Sequence, residues 1–249
     1  PYNKARMAKK RTALGRYAHE SAAFGLPVVG KPLAVYMGDD ARNEYIYKWV
    51  SAANWDAADA NPANRMAAGD KYLDAGKLYV AKFASDGAGQ WIELSITNPA
   101  IAGYAGYAFA NQADVMVNAR VAADAVGATK MDRPEWCATH PGTGEVYFTL
   151  TNNSNRRVEP SSSSQVAPDS ANPRVYTDIK GTSSSQVGNP NGHILRLRDT
   201  TGAASTAFTW DVYLFGAESS ASPSGINLSS LTADQDFSSP DGLAFTPST

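Results

Sequence analysis

The 249-residue chain holds a single cysteine, Cys137, which excludes an internal disulfide framework and a cysteine-built zinc site. Charge is sparse: 18% of residues are charged, against about 25% in ordinary soluble domains, and the net charge is -2. Nothing here resembles the clustered positive charge that a nucleic-acid backbone demands, so no nucleic-acid partner is expected. No apolar run approaches the ~20 residues of a membrane-spanning helix; Leu33–Met37 is typical, and no membrane partner is expected either. The G-x-S-x-G elbow, the P-loop and H-E-x-x-H are absent as well. The chain opens on Pro1 without an initiator Met, signal peptide or twin-arginine stretch, and closes on the strand-like Gly242–Phe245. It therefore reads as a piece of a longer polypeptide. What is present is 43% apolar and 10% aromatic residue, enough to build a sizeable core and too much for a disordered chain. Ser, Thr, Asn, Gly and Ala take the place of the missing charges.

Short strands separated by turns dominate the pattern. Leu33–Gly38 and Tyr45–Val50 read as a hairpin, as do Lys77–Phe83 with Gln90–Leu94, Trp136–Thr139 with Glu145–Thr149, and His193–Arg198 with Ala207–Phe215. Asp241–Phe245 would start a fifth. Hairpins in series predict an all-β fold, and their spacing together with the long excursions Asn54–Gly76, Ile96–Ala113 and Arg156–Asn189 favours a β-propeller. About three complete blades and a truncated one are expected. One short helix is predicted over Ala113–Ala125, with Gly127 as its stop. The serine runs Ser161–Ser164 and Ser183–Ser185 read as surface loops.

Three carboxylates stand out by context: Glu20, Glu135 and Asp241, each where a loop is expected to enter a strand, the last two directly after a proline. They are separated by roughly a hundred residues, which at about 40–45 residues per blade puts them on different blades that meet only near a central axis. Converging carboxylates need protonation, a cationic partner or a metal, and hard oxygen ligands suit Ca²⁺, Mg²⁺, Mn²⁺ or ferric iron. The competing reading is that they cap turns and pair with Arg16 and Arg133. His140 and His193 carry no motif and are expected to be structural, and Cys137 is expected to be a small buried residue.

His19-Glu20-Ser21, the runs from Val35 to Lys48 and from Ala122 to Trp136, Thr149-Leu150-Thr151-Asn152-Asn153 and Ser239-Pro240-Asp241-Gly242-Leu243 together resemble PhoX-type alkaline phosphatases, in order and spacing, over nearly the whole chain. The M-D-R-P-E-W and M-G-D-D-x-R stretches within them are long enough to be specific. The resemblance implies a secreted or periplasmic bacterial phosphomonoesterase, monomeric as the full-length parent, on a six-bladed propeller of which residues 1–249 form a central part. It implies calcium (Ca²⁺) and ferric iron (Fe³⁺) as cofactors around a bridging oxo group and a phosphate monoester as substrate. Glu20, Glu135 and Asp241 look like metal ligands in that family, and Arg133 like the catalytic, phosphate-binding cation. The family's iron-ligating cysteine lies upstream of this stretch, so Cys137 inherits no role. The residues leave two rivals open: a non-catalytic propeller binding module, and a calcium-dependent propeller lactonase. A neutral lactone has no use for a cation at Arg133. The isolated segment is expected to be a poor enzyme, because each family ligand supplies only part of a coordination shell.

Overall fold

A computed structural model describes residues 8–180 and 184–246. All four expected hairpins form. They pair as β2 (Pro32–Asp39) with β3 (Ile46–Asn54), β4 (Gly76–Phe83) with β5 (Ala88–Glu93), β6 (Pro134–Thr139) with β7 (Val146–Leu150), and β10 (His193–Asp199) with β11 (Ala207–Phe215). A further strand, β1 (His19–Phe24), adds to the edge of β2, and β8 (Tyr176–Lys180) with β9 (Ser184–Gly188) makes a separate two-stranded ribbon. The hairpins join edge to edge in one nine-stranded antiparallel sheet, ordered β1-β2-β3-β4-β5-β11-β10-β7-β6. The fold is all-β as expected, but among the described residues the blades are not separate sheets.

The sheet curls until its two edges meet. Ser21 Oγ on β1 donates to the Glu135 carbonyl on β6 at 3.2 Å, and Cys137 Sγ lies 3.2 Å from the Tyr36 carbonyl on β2. Gly38 makes this approach possible: a Cβ there would stand 2.5 Å from the carbonyl oxygen of Pro134. Inside the curl pack Tyr36, Ile46, Trp91, Cys137, Phe148, Leu195 and Phe208. The alternate residues of the same strands, Val35, Met37, Tyr47, Trp49 and Val80, pack outward beneath helical cover contributed by Ile101, Val115, Ala119 and Ala122. Strands buried on both faces read as continuous apolar runs, which is why β2 and β3 stand out so clearly in the sequence. A charge pair lies inside the curl: the fully buried Lys48 Nζ donates to Asp199 Oδ2 at 2.8 Å, and Trp91 and Tyr36 donate to the same carboxylate.

Four details depart from expectation. The helix near 113–125 is two helices, α3 (Gln112–Val117) and α4 (Ala119–Ala125), broken at Asn118, while Arg16 binds the carbonyls of Met116 and Val117 at the break. Two excursions read as irregular carry helices, α1 (Arg65–Leu73), capped by Asn64, and α2 (Pro99–Ala102), capped by Asn98. Ser184 and Ser185 belong to β9, not to a loop, while Ser183 lies outside the described residues. The expected strand at Asp241–Phe245 does not form; without a partner strand, this segment is held by Thr149 Oγ1 donating to the Asp241 carbonyl and by Phe245 packing on His140 and Tyr147.

Candidate functional site

The M-D-R-P-E-W stretch enters β6 at the seam where the sheet closes. Arg133 adopts φ 58°, a left-handed conformation that a side chain with a Cβ rarely takes and that costs on the order of 1–3 kcal/mol. Asp40, just beyond the end of β2, and Glu135, two residues ahead on β6, both face it. The Arg133 guanidinium lies 2.9 Å from Asp40 Oδ1 through Nε, donates to Asp40 Oδ2 at 3.0 Å, and lies 3.1 Å from Glu135 Oε1. The Oδ1 contact lies off the N–H direction, so this buried oxygen accepts no hydrogen bond. Asp241 reaches the same place from the C-terminal segment, its side chain within hydrogen-bonding reach of Glu135. Burial pushes the Glu135 carboxyl up to about 7; the negative charge of Asp40 adds to this, Arg133 opposes it, and Asp241 adds again.

Arg133 and Glu135, two residues apart on one stretch, are therefore met by Asp241 from a segment distant in sequence. Glu20 is placed differently: it is exposed on β1 and makes no ion pair with a described residue, although its neighbour Ser21 ties β1 to the Glu135 carbonyl. Arg16 does not pair with Glu20; it binds the Val117 carbonyl. The cap-and-pair alternative thus holds for Arg133 and fails for Arg16. Asp40 is the residue at this site to which the sequence reading gave no role, although it stands in the M-G-D-D-x-R run. An acidic pair ending an apolar strand was the available signal. His193 and His140 are structural as expected, the first in a buried network and the second accepting from the backbone N–H groups of Gly142 and Thr143. Cys137 is buried.

Behind Arg133 lies a polar core that the sequence reading missed. The Asp132 carboxylate is fully buried and accepts from Asn153 Nδ2 at 2.8 Å, Arg156 Nε at 2.9 Å and Asn189 Nδ2 at 3.0 Å. Its backbone N–H donates to Asn172 Oδ1. Arg156, also fully buried, spends its remaining donors on the carbonyls of Lys130 and Ala167 and on Asp169. Asparagines in loops carry no periodic signal, so nothing short of the tertiary structure reveals this hub.

The donor set at the seam is all oxygen, as a hard cation prefers. Carboxyl groups crowded there, one held near neutrality in its ionisation and one buried oxygen without a hydrogen bond, fit a site that a cation would relieve. Among the described residues, no three His, Cys, Asp or Glu side chains already form a ligand group. The cavity of about 220 Å³ lined by Phe24, Trp55 and Tyr72 and that of about 630 Å³ lined by Tyr36, Arg198 and Asp199 include none of these residues.

The family model for alkaline phosphatase PhoX matches residues 1–249. The solved structure of Pseudomonas fluorescens PhoX in complex with vanadate, a transition state analogue, is 38% identical, superposes with a TM-score of 0.73, and covers 96% of this chain but only 38% of its own. The chain thus spans well under half the length of that relative. No curated protein sequence gives a significant match. With the family's motifs in order along the sequence, its model matched from end to end and its fold shared, the chain belongs to the alkaline phosphatase PhoX family.

Proposed function

We propose that this chain forms the phosphate-gripping part of a metal-dependent phosphomonoesterase, with Arg133 as the cation that holds the phosphoryl group. The observation that carries the reading is the convergence of Arg133, Glu135 and Asp241 at one seam, in a member of a phosphatase family whose Pseudomonas fluorescens relative was solved with vanadate. Glu135 and Asp241, with Glu20 from the adjoining strand, would hold the metals, calcium and ferric iron by family likeness. Bound there, such ions supply Lewis-acid polarisation of the phosphoryl oxygens and an oxygen nucleophile at usable pH.

The chain's own residues account for the rest. Asp40 grips one edge of the Arg133 guanidinium and Glu135 touches another, so the fork is oriented before substrate arrives. An oriented fork matches two phosphate oxygens and meets the charge that grows on them in the transition state without reorganising. A secreted or periplasmic location and a monomeric parent follow from the same family likeness; no helix among the described residues is long and apolar enough to cross a membrane.

The test is kinetic, made in the full natural chain with metal content measured alongside. Arg133→Ala is expected to lower phosphomonoester turnover by about 10²–10³-fold, with folding and metal content intact. Arg133→Lys should recover part of the loss, because a point charge cannot reproduce the two-pronged contact. Wild-type turnover by the alanine variant would end this reading. Loss of folded protein without loss of specific rate would assign Arg133 to stability alone.

A further inference from the structure

Arg133 sits in a strained backbone conformation, and something must hold it there. Its own ion pairs act on the tip of the side chain, not on the main chain. The main chain on either side is pinned from within: Arg156 Nη2 donates to the Lys130 carbonyl at 2.8 Å, Asn172 Oδ1 accepts from the Asp132 N–H at 3.1 Å, and Thr151 N–H donates to the Arg133 carbonyl at 3.2 Å. The Asp132 side chain, one residue before the strained position, is clamped by Arg156, Asn153 and Asn189. None of these groups reaches the seam itself.

The same hub extends toward the other members of the site. Asn153 Nδ2 also donates to Asn43 Oδ1 in the turn that follows Asp40, and Asn43 N–H donates to the Met131 carbonyl. On the far side, Asn189 lies two residues before Asn191, whose carbonyl accepts from the backbone N–H of Ser239, just ahead of Asp241. Asn152 and Ser239 are joined through their side chains. One buried cluster thus anchors the loops bearing Asp40, Arg133 and Asp241. A buried ion pair is a poor source of stability, because desolvation offsets most of its Coulombic gain. Its value here lies in fixing geometry.

We propose that Arg156, acting through Asp132, is a positioning residue that holds the backbone of Arg133 in its strained conformation and so aims the guanidinium at substrate phosphate. This rests on the functional reading of Arg133 given above. Arg156→Lys keeps the charge but loses the fork that reaches Asp132 and Lys130 together. It should lower kcat/KM for a phosphomonoester by about 10–100-fold, by analogy with the loss found when groups that orient metal ligands from behind are removed.

The experiment is a double-mutant cycle in the full natural chain, combining Arg156→Lys with Arg133→Ala. The expected result is a large effect of Arg156→Lys when Arg133 is present and an effect of no more than about twofold when it is absent. The inhibition constant for vanadate should weaken in step with kcat/KM, because a misaimed cation loses the transition state. A merely structural role would reduce the fraction of competent enzyme, lowering kcat and leaving the vanadate constant unchanged; that outcome overturns the proposal. So do equal factors in both backgrounds, or an Arg156→Lys variant with wild-type kinetics. Full activity of Arg133→Ala alone would instead overturn the reading on which the proposal rests. Asn153→Ser, which removes one hydrogen bond to Asp132 together with the one to Asn43, runs through the same cycle should Arg156→Lys fail to fold, with a smaller loss expected and the same coupling pattern required.

Discussion

At His193, two hydrogen bonds decide the tautomer. The Ala171 carbonyl can only accept, so Nε2 carries the proton, and Nδ1 accepts from Asn189 Nδ2. Burial pushes the imidazole down to about 4, with the Asp132 charge opposing and Arg174 assisting. Between pH 6.5 and 4 the unfolded chain therefore takes up a proton that the native state refuses, and stability falls as pH falls through that window. The full effect is on the order of 3 kcal/mol. Burial also pushes the Glu44 and Glu135 carboxyls up to about 7, which works in the opposite sense over the same range, so the test is the difference between variants: from pH 7 to pH 4.5 the wild-type chain should lose stability relative to His193→Gln in denaturant unfolding, and equal changes in the two would show that His193 does not carry the effect. The structural assignment of His193 was legible from its isolation in the sequence. Its partners were not: Asn153, Asn172 and Asn189 are polar loop residues whose roles depend on which loops meet.

Elements were more legible than their arrangement. The hairpins built on β2 with β3 and on β10 with β11 announce themselves because apolar, β-branched and aromatic residues crowd a strand buried on one or both faces. β1 was marked only by its entry at Glu20, since its sequence His-Glu-Ser-Ala-Ala-Phe has no β-branched residue, and β9 was hidden in a serine run. The break at Asn118 also lies beyond local pattern, because Asn118 Nδ2 turns back to Asp114 while Arg16 claims the nearby carbonyls. Gly38 shows how one residue serves two elements at once. Gly38→Ala should force β2 and β6 apart, because the nearest atoms to the added methyl are backbone carbonyls that cannot swing away. A loss of about 1–3 kcal/mol is expected from such overpacking, measured by chemical denaturation, together with a weakened vanadate affinity because Arg133 and Asp40 ride on the two strands. Unchanged stability would mean the strands separate without cost.

For the whole molecule, the order of strands is what the sequence least disclosed. Neighbours in the sheet such as β5 with β11 are more than a hundred residues apart in the chain, and their pairing depends on the sheet's curvature, not on any local signal. Of the candidate site, Arg133, Glu135 and Asp241 were reachable through the family's motifs, whereas Asp40 and the hub behind it required the folded chain. The closure of the sheet is uneven. β3 and β4 are laddered to neighbours on both sides, while β1 and β6 are each laddered on one side only and meet through side chains, a carbonyl and a thiol. In hydrogen–deuterium exchange the amides of β1 and β6 should lose protection well before those of β3 and β4, since local opening begins where few backbone bonds must break; uniform protection around the sheet would refute this. The curled sheet is thus a bracelet fastened by a clasp, and the residues proposed to grip phosphate are mounted on the clasp. Whatever binds between Glu135 and its neighbours would then be a fastener as well as a reactant, and each opening of the clasp would release both.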